Sequence, residues 1–419
     1  MRDITQAVVL CGGLGTRLRP LTNSVPKPMV EINKKPFLWY LLLKLSSPPN
    51  NIKKFLLLTG YLKETIENYF RDGKQFGWEI SYSSGPSYWD TGRRIWEANE
   101  HLDEQFVLCY SDNFAQVNLD KLYQIWKNNS SSITLLITKK KIGNVMINDH
   151  NKIILYSKER KADYQYVELG FMICSKNEIF KQFQIIENSP NISFSEILEN
   201  ISLDNQLSGS IINDPYHSIG DLKRLEKTRK YFQKKRILLL DRDGVINVKA
   251  PRGKYITSWD DFTFIQDTIE ALKKLSLYDF KFIIVSNQAG IATGEVDITD
   301  LEEIHDNMTA FLKTKGIKIL DIFVSKDHWK SQSFRRKPNP GMFFEVSQKY
   351  LLRLDETFYI GDDPRDCQAA RNASCGSILI GDNVDKTKCN PDYYASRLTD
   401  LLPIILEKFK DKEINHSNC

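Results

Sequence analysis

Two aspartates that stand two positions apart mark the first stretch that could do chemistry. Asp241 and Asp243 follow the short apolar run Ile237–Leu240 in the sequence ILLLDRDGVIN. A short apolar run bounded by turn residues is typical of a buried strand in a parallel sheet. Ligands of open α/β sheets bind at the carboxyl ends of such strands. The pattern therefore predicts a reactive site that begins at residue 241, more than halfway along the chain.

A glycine-rich turn near the start of the chain is the second such stretch. Ala7–Leu10 has the character of a strand, and Gly12, Gly13 and Gly15 follow it. Because glycines carry no side chain, such a turn lets backbone N–H groups approach a phosphate closely. Arg17 can add charge-assisted hydrogen bonds to the same phosphates. A plain turn from a strand into a helix explains the glycines equally well, so this pattern alone leaves the function open.

Length and composition limit the class of protein. The 419 residues are enough for two or three domains, and 41% hydrophobic and 26% charged residues are ordinary for globular proteins. The net charge of +5 and the widely spread lysines favour a solvated surface over nucleic-acid binding. Seven cysteines without a CxxC pair indicate free thiols in a reducing compartment. The sequence has neither a signal-peptide layout nor a long apolar run, so we expect a cytoplasmic protein without a membrane partner.

The continuation of the glycine-rich turn resembles a known family. The turn is followed by RLRP (17–20) and PKPM (26–29), and the whole run resembles the signature of nucleoside-diphosphate-sugar pyrophosphorylases, which join a sugar 1-phosphate to an NTP. The resemblance implies that Gly12, Gly13 and Gly15 supply backbone donors. Arg17 would hold the triphosphate, and Lys27 would neutralise charge near the α-phosphate or the sugar phosphate. Catalysis of such transfers depends mostly on positioning and electrostatic stabilisation.

Other positions of the first half resemble the family's substrate and metal contacts. Thr91 and Gly92 lie where the family has a glycine-containing loop that contacts nucleotide or sugar. The next two residues, Arg93 and Arg94, depart from the usual small residues, and a helix that begins with an Asp-Thr cap explains the segment equally well. Asp112 follows another predicted strand, where the family has an Mg²⁺ ligand. A lone carboxylate suffices there because substrate phosphates also bind Mg²⁺.

The remaining family positions match less well. Glu159 belongs to an acidic-basic pair that often meets the sugar, and Gly170 ends a turn that is usually Asn-Ala-Gly. The family's second metal ligand is the Asp of an Asp-Ile-Gly segment, whereas this chain has Ser218 there and Asp221 three residues later. Either Asp221 substitutes as the ligand, or Asp112 holds the metal with less help.

From residue 237 the sequence resembles the haloacid dehalogenase superfamily of aspartyl-phosphate phosphatases. Four separated segments carry the resemblance: DRDG (241–244), VSNQAG (285–290), RKPNPGM (336–342) and YIGDDPRD (359–366). The two resemblances imply an α/β protein of two domains, a Rossmann-like nucleotidyltransferase fold with a mixed sheet followed by a Rossmannoid haloacid dehalogenase-type fold. We place the domains at 1–234 and 235–411, with a polar tail at 412–419.

The second resemblance assigns roles to the carboxylates. Asp241 would attack phosphorus and form an aspartyl phosphate, and Asp243 would act as general acid and base. Crowded carboxylates need a counter-cation, and Asp241, Asp362 and the Asp243 carbonyl would hold Mg²⁺. Asp366 would assist at the metal or orient Lys337. The phosphoryl group and the substrate would contact Ser286, Asn287, Gln288, Arg336 and Lys337.

The segments after Asp243 and around residues 286–294 are similar to heptose bisphosphate phosphatases and their histidinol-phosphatase relatives. That group usually carries a zinc loop of cysteine and histidine ligands just before Arg-Lys-Pro, whereas residues 325–335 contain His328 and no cysteine. One histidine cannot build a four-ligand zinc site. We therefore expect Mg²⁺ in both domains and no zinc.

The pairing of these two activities implies consecutive steps. The phosphatase would remove the 7-phosphate of D-glycero-D-manno-heptose 1,7-bisphosphate, and the nucleotidyltransferase would join the heptose 1-phosphate to an NTP, which the family resemblance suggests is GTP. Three alternatives stay open: another sugar with CTP, UTP or dTTP, a nucleic-acid 3′-phosphatase in the second half, and a non-catalytic first half. No dense basic patch with interleaved aromatic residues accompanies the motifs, so we expect no nucleic-acid partner. The sequence does not determine the oligomeric state.

Overall fold

The chain forms two α/β units in the computed structural model. The structure describes residues 3–185, 191–251, 253–382 and 388–410. The units comprise Met1–Phe232 and Gln233–Cys419, so the division falls two residues before the predicted boundary at 234. The predicted polar tail at 412–419 lies outside the described residues.

The first unit alternates strands and helices. Its strands are β1 (Gln6–Leu10), β2 (Glu31–Ile32), β3 (Lys35–Pro36), β4 (Lys54–Thr59), β5 (Glu79–Ser84), β6 (Gln105–Tyr110), β7 (Asn113–Phe114), β8 (Ile133–Lys139), β9 (Gly143–Ile147), β10 (Ile153–Lys161), β11 (Tyr166–Ser175), β12 (Leu207–Ile211) and β13 (His217–Ser218). Its helices are α1 (Phe37–Ser46), α2 (Lys63–Phe70), α3 (Thr91–Glu97), α4 (Leu119–Asn129), α5 (Lys176–Ile185), α6 (Phe194–Leu203) and α7 (Leu222–Phe232).

The main sheet of the first unit is mixed. Within the described residues it has nine strands, in the order β10–β9–β11–β6–β1–β4–β5, with β8 paired to β11 and β12 paired to β8. β1 runs parallel to β4 and β6, whereas β11 runs antiparallel to β6 and β8. Alternate residues of β1 enter two different cores, Ala7 and Val9 in one and Val8 and Leu10 in the other. This burial on both faces explains the continuous apolar run, and β1 confirms the strand predicted at Ala7–Leu10.

The second unit contains the elements that follow Gln233. Its strands are β14 (Ile237–Leu240), β15 (Lys281–Asn287), β16 (Ile319–Ser325), β17 (Phe358–Gly361), β18 (Gly376–Ile380) and β19 (Tyr393–Ala395). Its helices are α8 (Gln266–Ser276), α9 (Gly290–Thr293), α10 (Ile298–Thr314), α11 (Gly341–Tyr350), α12 (Pro364–Asn372) and α13 (Leu402–Phe409).

The sheet of the second unit is parallel throughout and centres on β14. The strand order is β16–β15–β14–β17–β18–β19, so the chain builds one side of the sheet first and then crosses to the other. Leu238 and Leu240 pack in one core, and Ile237 and Leu239 pack in a second. The strand order reverses beside β14, where open α/β sheets form a crevice at their carboxyl ends. Asp241 is the first residue beyond β14 and therefore enters this crevice.

The two sheets confirm the predicted α/β architecture. The cysteines among the described residues are free and buried. In the described part of the chain, no helix combines the length and the apolar character that a membrane span requires.

Candidate active sites

A cavity of about 290 Å³ lies at the carboxyl end of β1 in the first unit. It brings together most of the residues that the sequence predicted for nucleotide and metal binding. Its wall includes Gly12, Gly13, Gly15, Arg17, Lys27, Thr91 and Asp112. The cavity therefore combines backbone donors, two cationic side chains and one carboxylate, a set that suits a triphosphate and a sugar phosphate.

Lys27 and Asp112 form an ion pair at this cavity. The Lys27 Nζ lies 2.5 Å from the Asp112 Oδ2, and 14% and 28% of the two side chains are exposed. Asp112 is placed two residues beyond β6, and Lys27 lies in a short 3-10 turn held by the prolines on either side of it. Since both charges remain partly solvated, each is available to a phosphate or a metal ion that enters the cavity.

The three glycines of the turn differ in what a side chain would meet there. Gly15 has a φ of +62°, and a Cβ there would lie 2.9 Å from the Lys27 Cβ. A Cβ on Gly12 would lie 2.2 Å from the Arg94 Cζ, whereas one on Gly13 would meet nothing within 4 Å. The prediction that all three are glycine for close approach to a phosphate is therefore incomplete. Gly15 is needed for its backbone conformation, and Gly12 makes room for Arg94.

The segment around Thr91 is organised as a helix start. The Asp90 carboxylate accepts a hydrogen bond from the Thr91 N–H (2.8 Å), and the Thr91 Oγ1 accepts one from the Phe194 N–H (2.7 Å). Gly92 donates to the Ile192 carbonyl (2.9 Å), and a Cβ there would lie 2.6 Å from the same oxygen. Thr91 reaches the cavity wall, but Gly92 serves the packing of α3.

Three other predicted positions lie outside the wall of this cavity. Glu159 is exposed on β10. Gly170 has a φ of +72° and approaches the ring of Tyr110, which does line the cavity. Asp221 accepts a hydrogen bond from the Arg224 N–H (2.9 Å) and pairs with the Arg224 Nε (3.2 Å). These contacts place the Asp221 carboxylate at the start of α7, one residue after Gly220, which lines the cavity.

Glu168 is the acidic neighbour of Asp112 that the sequence did not single out as a site residue. Its Oε2 accepts a hydrogen bond from the Gly170 N–H at 2.7 Å. Burial raises the pKa of Glu168; this hydrogen bond opposes the rise, and the charge of Asp112 adds to it. The signal in the sequence was the departure from the usual Asn-Ala-Gly turn, but only the fold places this carboxylate within electrostatic range of Asp112.

The second unit has a larger cavity, of about 900 Å³, where β14, β15 and β17 end. It brings together the residues of all four predicted segments. Its wall includes Asp241, Asp243, Ser286, Asn287, Gln288, Arg336, Lys337, Asp362 and Asp366. Residues that are up to 125 positions apart in the chain meet here because parallel strands end at the same edge of a sheet.

Lys337 lies at the centre of this site and is 3% exposed. Its Nζ lies 2.8 Å from the Asp241 Oδ2 and 2.7 Å from the Asp366 Oδ1, and it donates to the Tyr359 hydroxyl at 2.6 Å. Burial alone would lower the pKa of Lys337, but the two carboxylates outweigh it, so the pKa lies above its ordinary value. The ammonium group therefore stays charged and can bind a phosphoryl group beside Asp241.

Three carboxylates form the acidic part of the site. Oxygens of Asp241, Asp362 and Asp366 lie within 4.8 Å of one another, the only such group of three potential ligands among the described residues. Burial raises the pKa of Asp241 to about 7 and that of Asp362 to about 6, and the Asp366 charge adds to both shifts. Lys249 pairs with Asp362. These closely spaced carboxylate oxygens carry like charges that repel one another. Such a set of hard ligands suits a divalent cation such as Mg²⁺.

Asp366 has a second task within this group. Its Oδ1 pairs with Lys337, while its Oδ2 accepts hydrogen bonds from the Asp362 and Asp363 N–H groups at 3.2 and 3.1 Å. Asp366 was predicted either to assist at the metal or to orient Lys337, and these contacts favour the orientation of Lys337.

The Asp243 carboxylate is held by a clamp of three side chains. The Arg242 Nη2 lies 2.9 Å from each carboxylate oxygen, Gln288 donates at 2.6 Å, and Asn247 donates at 3.0 Å. Burial would raise the pKa of Asp243, but Arg242 and these hydrogen bonds outweigh it, so the pKa is lowered. Arg242 is 1% exposed and also contacts His305. In this arrangement Asp243 is ionised and is suited to act as a base.

The side chains predicted to contact substrate also position one another. The Asn287 amide donates to the Lys337 carbonyl and accepts from the Lys337 N–H, both at 3.0 Å. Gln288 donates to the Ser286 hydroxyl at 3.1 Å, in addition to Asp243. Asn287 thus fixes the backbone of Lys337, a contact that sequence position alone did not reveal.

A polar network organises the loop that precedes Arg336. The Asp327 Oδ2 accepts hydrogen bonds from the hydroxyls of Ser325 (2.9 Å) and Ser333 (2.7 Å), and Arg336 donates to the Asp327 carbonyl (3.1 Å). His328 accepts a hydrogen bond from a backbone N–H in the same loop through its Nδ1. These contacts give the loop a defined conformation and bring Arg336 to the cavity.

Comparison with known proteins yields a match for each unit. A family model described as Nucleotidyl transferase matches residues 6–154, and one described as Polynucleotide kinase 3 phosphatase matches residues 236–394. D-glycero-alpha-D-manno-heptose 1-phosphate guanylyltransferase of Campylobacter jejuni is 30% identical over 219 residues, 51% of this chain and 94% of that protein. A probable glucose-1-phosphate cytidylyltransferase of Bacillus subtilis is 29% identical over 227 residues, 48% of this chain and 86% of that protein. D-glycero-beta-D-manno-heptose-1,7-bisphosphate 7-phosphatase of Pseudomonas aeruginosa is 32% identical over 145 residues, 34% of this chain and 80% of that protein.

Proposed function

The chain belongs to the nucleotidyl transferase family in its first unit and to the haloacid dehalogenase-type phosphatases in its second, and we propose that it is a bifunctional enzyme that makes an NDP-activated heptose. One observation carries the proposal. Each unit spans most of a relative whose name specifies a heptose phosphate, a 1-phosphate guanylyltransferase and a 1,7-bisphosphate 7-phosphatase. Removal of the 7-phosphate leaves a sugar 1-phosphate, which is the class of substrate that a nucleotidyltransferase consumes.

The phosphatase step uses Asp241 as the nucleophile. An Asp241 oxygen attacks phosphorus, the bond from phosphorus to O7 of the sugar breaks, and O7 takes a proton from Asp243. Water then attacks the aspartyl phosphate with Asp243 as base, and inorganic phosphate leaves. Lys337, 2.8 Å from Asp241, holds the phosphoryl oxygens. Since Arg242 lowers the pKa of Asp243, its carboxylate has to leave the Arg242 clamp to carry the proton for the first step.

Metal binding in the phosphatase unit falls to the carboxylate group. Asp241, Asp362 and the Asp243 carbonyl would hold Mg²⁺, with Asp366 beside them. When bound, the cation supplies positive charge that lets an anionic phosphate approach these carboxylates. Lys337 favours the anionic form of Asp241, against the burial that raises its pKa.

The nucleotidyl transfer step uses the cavity of the first unit. An oxygen of the sugar 1-phosphate attacks the α-phosphorus of the NTP, and the bond to the β-phosphate breaks to release pyrophosphate. Arg17 and Lys27 neutralise the phosphates, and the Gly13 N–H adds a backbone donor. Asp112 would hold Mg²⁺, which would supply charge at the triphosphate.

GTP is the proposed nucleotide, on the strength of the Campylobacter jejuni relative. The Bacillus subtilis cytidylyltransferase is almost equally similar, so identity alone does not select the base. The names of the relatives also differ in the sugar, with an alpha anomer for the guanylyltransferase and a beta anomer for the phosphatase. Consecutive steps in one chain require both units to accept the same anomer.

One mass-spectrometric assay tests the proposal. The full chain is incubated with Mg²⁺, pyrophosphatase, GTP, CTP, UTP, dTTP and each anomer of heptose 1,7-bisphosphate in turn. We expect GDP-heptose from one anomer, with heptose 1-phosphate as the intermediate. Heptose 1-phosphate without any NDP-sugar would support a first unit that is a non-catalytic module, and an unchanged bisphosphate would refute the proposed substrate.

A nucleic-acid 3′-phosphatase is the second candidate for the second unit. The family model that matches residues 236–394 is described by that activity. The cavity wall also carries Tyr255 and Trp329 beside Lys254 and Arg365, and aromatic and basic side chains together suit single-stranded nucleic acid. Release of phosphate from a 3′-phosphorylated oligonucleotide, weakened steeply by salt, would favour this candidate. Comparable rates at 50 and 200 mM salt with the bisphosphate sugar alone would exclude it.

A further inference from the structure

Arg94 is a buried arginine on α3, directly beneath the glycine-rich turn. It is 4% exposed, yet it forms part of the wall of the cavity in the first unit. Its guanidinium donates hydrogen bonds to the carbonyls of Thr59 (2.7 Å), Pro86 (2.8 Å) and Gly12 (3.2 Å). These carbonyls lie at or just beyond the carboxyl ends of β4, β5 and β1. One side chain thus joins three segments that border the cavity.

The charge of Arg94 is not neutralised by an ion pair within the described residues. Its hydrogen bonds go to neutral carbonyls, and the ion pairs of α3 involve the neighbouring Arg93, which pairs with Glu97. A buried charge is costly unless an opposite charge compensates it. Asp90 in the cavity wall acts on Arg94 through its charge. Arg17, Lys27 and Arg94 against Asp90 and Asp112 still leave the wall with one net positive charge, which an anion in the cavity would neutralise.

The contact with Gly12 also sets the direction of a backbone donor. The Gly12 carbonyl accepts hydrogen bonds from Arg94 and from the Tyr61 N–H (3.3 Å). In a planar trans peptide, this carbonyl and the N–H of Gly13 point in opposite directions. The Gly13 N–H therefore points away from Arg94, and Gly13 lies at the exposed surface of the cavity.

The space that Arg94 occupies explains two glycines. A Cβ on Gly12 would lie 2.2 Å from the Arg94 Cζ, and a Cβ on Gly60 would lie 2.6 Å from the Arg94 Nη2. A Cβ on Gly13 would meet nothing within 4 Å. The requirement for glycine at position 12 thus comes from the guanidinium below the turn, and at position 60 from the guanidinium together with the Gly12 carbonyl, 2.9 Å from such a Cβ.

We propose that Arg94 is a positioning residue for nucleotide binding. It holds the Gly12 carbonyl so that the Gly13 N–H faces the NTP phosphates, and its charge strengthens the attraction of the cavity for them. This inference rests on the proposed use of an NTP by the first unit.

The first test replaces Arg94 by Met and by Lys in the full chain. GTP binding is measured by calorimetry with Mg²⁺, and KM and kcat are measured with heptose 1-phosphate. Loss of a charge-assisted contact and of a fixed donor predicts that Arg94→Met raises Kd and KM for GTP by about 10–100-fold, with a smaller change in kcat. Arg94→Lys keeps the charge, so its Kd and KM for GTP are expected to lie between those of the unaltered chain and those of Arg94→Met. Thermal unfolding shows whether each variant is folded, and phosphatase activity serves as an internal control.

The matched control removes the neighbouring charge. Arg93→Ala takes away an arginine that stacks on Trp89 and pairs with Glu97 but donates to none of the three carbonyls. We expect its Kd for GTP to stay within about twofold of the unaltered chain. A Kd for Arg94→Met that is equally unchanged would overturn the inference, as would equal weakening by both substitutions.

The second test is a double-mutant cycle on GTP affinity. It measures the coupling between positions 12 and 94, which a merely structural role of Arg94 would not produce in nucleotide binding. Gly12→Ala should weaken GTP binding strongly, because its methyl group collides with the guanidinium. In a chain that already carries Arg94→Ala the same substitution should cost less than a third of that factor, because the collision partner is absent. Independent, multiplicative effects would contradict the inference. If the unaltered chain binds no NTP at all, the proposed function fails as well, whereas binding that is insensitive to Arg94 refutes only this inference.

Discussion

Replacement of Asp241 by Asn is expected to abolish phosphate release and, at the same time, to stabilise the second unit. The amide has no lone pair with the nucleophilicity of a carboxylate, so phosphatase kcat should fall by at least about 10⁴-fold. Nucleotidyl transfer from added heptose 1-phosphate should be unchanged, since Asp241 belongs to the second unit and that cavity lies in the first.

The stabilisation follows from the burial of Asp241. Its pKa rises from an ordinary 3.8 to about 7, and each unit of pKa corresponds to about 1.4 kcal/mol. The ionised carboxylate therefore costs at most about 4 kcal/mol above pH 7. Lys337 loses one of its two carboxylate partners in the variant but keeps Asp366 at 2.7 Å, so we expect a net gain of about 1–3 kcal/mol at pH 8.

The sign of the pH dependence distinguishes this explanation from others. Between pH 3.8 and about 7, the folded chain keeps a proton on Asp241 that the unfolded chain has lost. Wild-type stability from this group therefore falls as pH rises through that window, whereas Asn does not titrate. The advantage of the variant should grow from pH 4 to pH 7 and then stay constant.

The assay is hydrogen exchange with mass spectrometry in increasing urea, in EDTA, with peptides from β14 and β17 as reporters of the second unit. Activities are followed by colorimetric phosphate release and by NDP-sugar formation in Mg²⁺. A variant that is less stable than wild type at pH 8, or whose advantage does not change between pH 5 and pH 8, would refute the burial argument. Loss of both activities in a folded variant would refute the assignment of separate sites.

Three further predictions concern other contacts of the two sites. Gly15→Ala places an L side chain at a φ of +62° and a Cβ 2.9 Å from Lys27, which should lower the free energy of unfolding by about 1–2 kcal/mol in urea titrations. Asp112→Asn removes the carboxylate that pairs with Lys27, so nucleotidyl transfer at saturating Mg²⁺ should fall by at least about 100-fold. Tyr359→Phe removes the hydroxyl that accepts from Lys337 and donates to a backbone carbonyl; the second unit should lose about 1–3 kcal/mol, and its phosphatase kcat/KM should fall about tenfold while nucleotidyl transfer is kept.

Each of these has a matched comparison. Gly13→Ala adds a methyl group that meets nothing within 4 Å, so its stability should match wild type if strain is the cause at Gly15. Asp112→Asn should leave phosphate release at the wild-type rate, and equal nucleotidyl transfer in variant and wild type would contradict a role for that carboxylate. For Tyr359→Phe, unchanged phosphatase activity would show that Asp241 and Asp366 suffice to position Lys337.

The sequence by itself predicted the two α/β halves and most of the residues that the structure gathers at the cavity of the second unit. Asp241 could be predicted from the apolar run that precedes it, and the family resemblance added Ser286 and Asp362. All three lie at strand ends, and parallel strands end at one edge of a sheet. A buried strand can be recognised from the apolar character of a few consecutive residues. A position at a strand end therefore reaches the crevice whatever the intervening loops do.

Only the tertiary structure decided which side chains hold the reacting groups in place. Arg94 departs from the family pattern, and its role became evident only when the fold placed it under Gly12. Asp221 was a candidate metal ligand by its sequence position, but its carboxylate is hydrogen-bonded at the start of α7. Asn287 and Arg242 likewise act on Lys337 and Asp243 through contacts that no spacing reveals. Strand ends are fixed by a local periodicity, whereas these contacts depend on rotamers and loop paths that are set by the packing of distant segments.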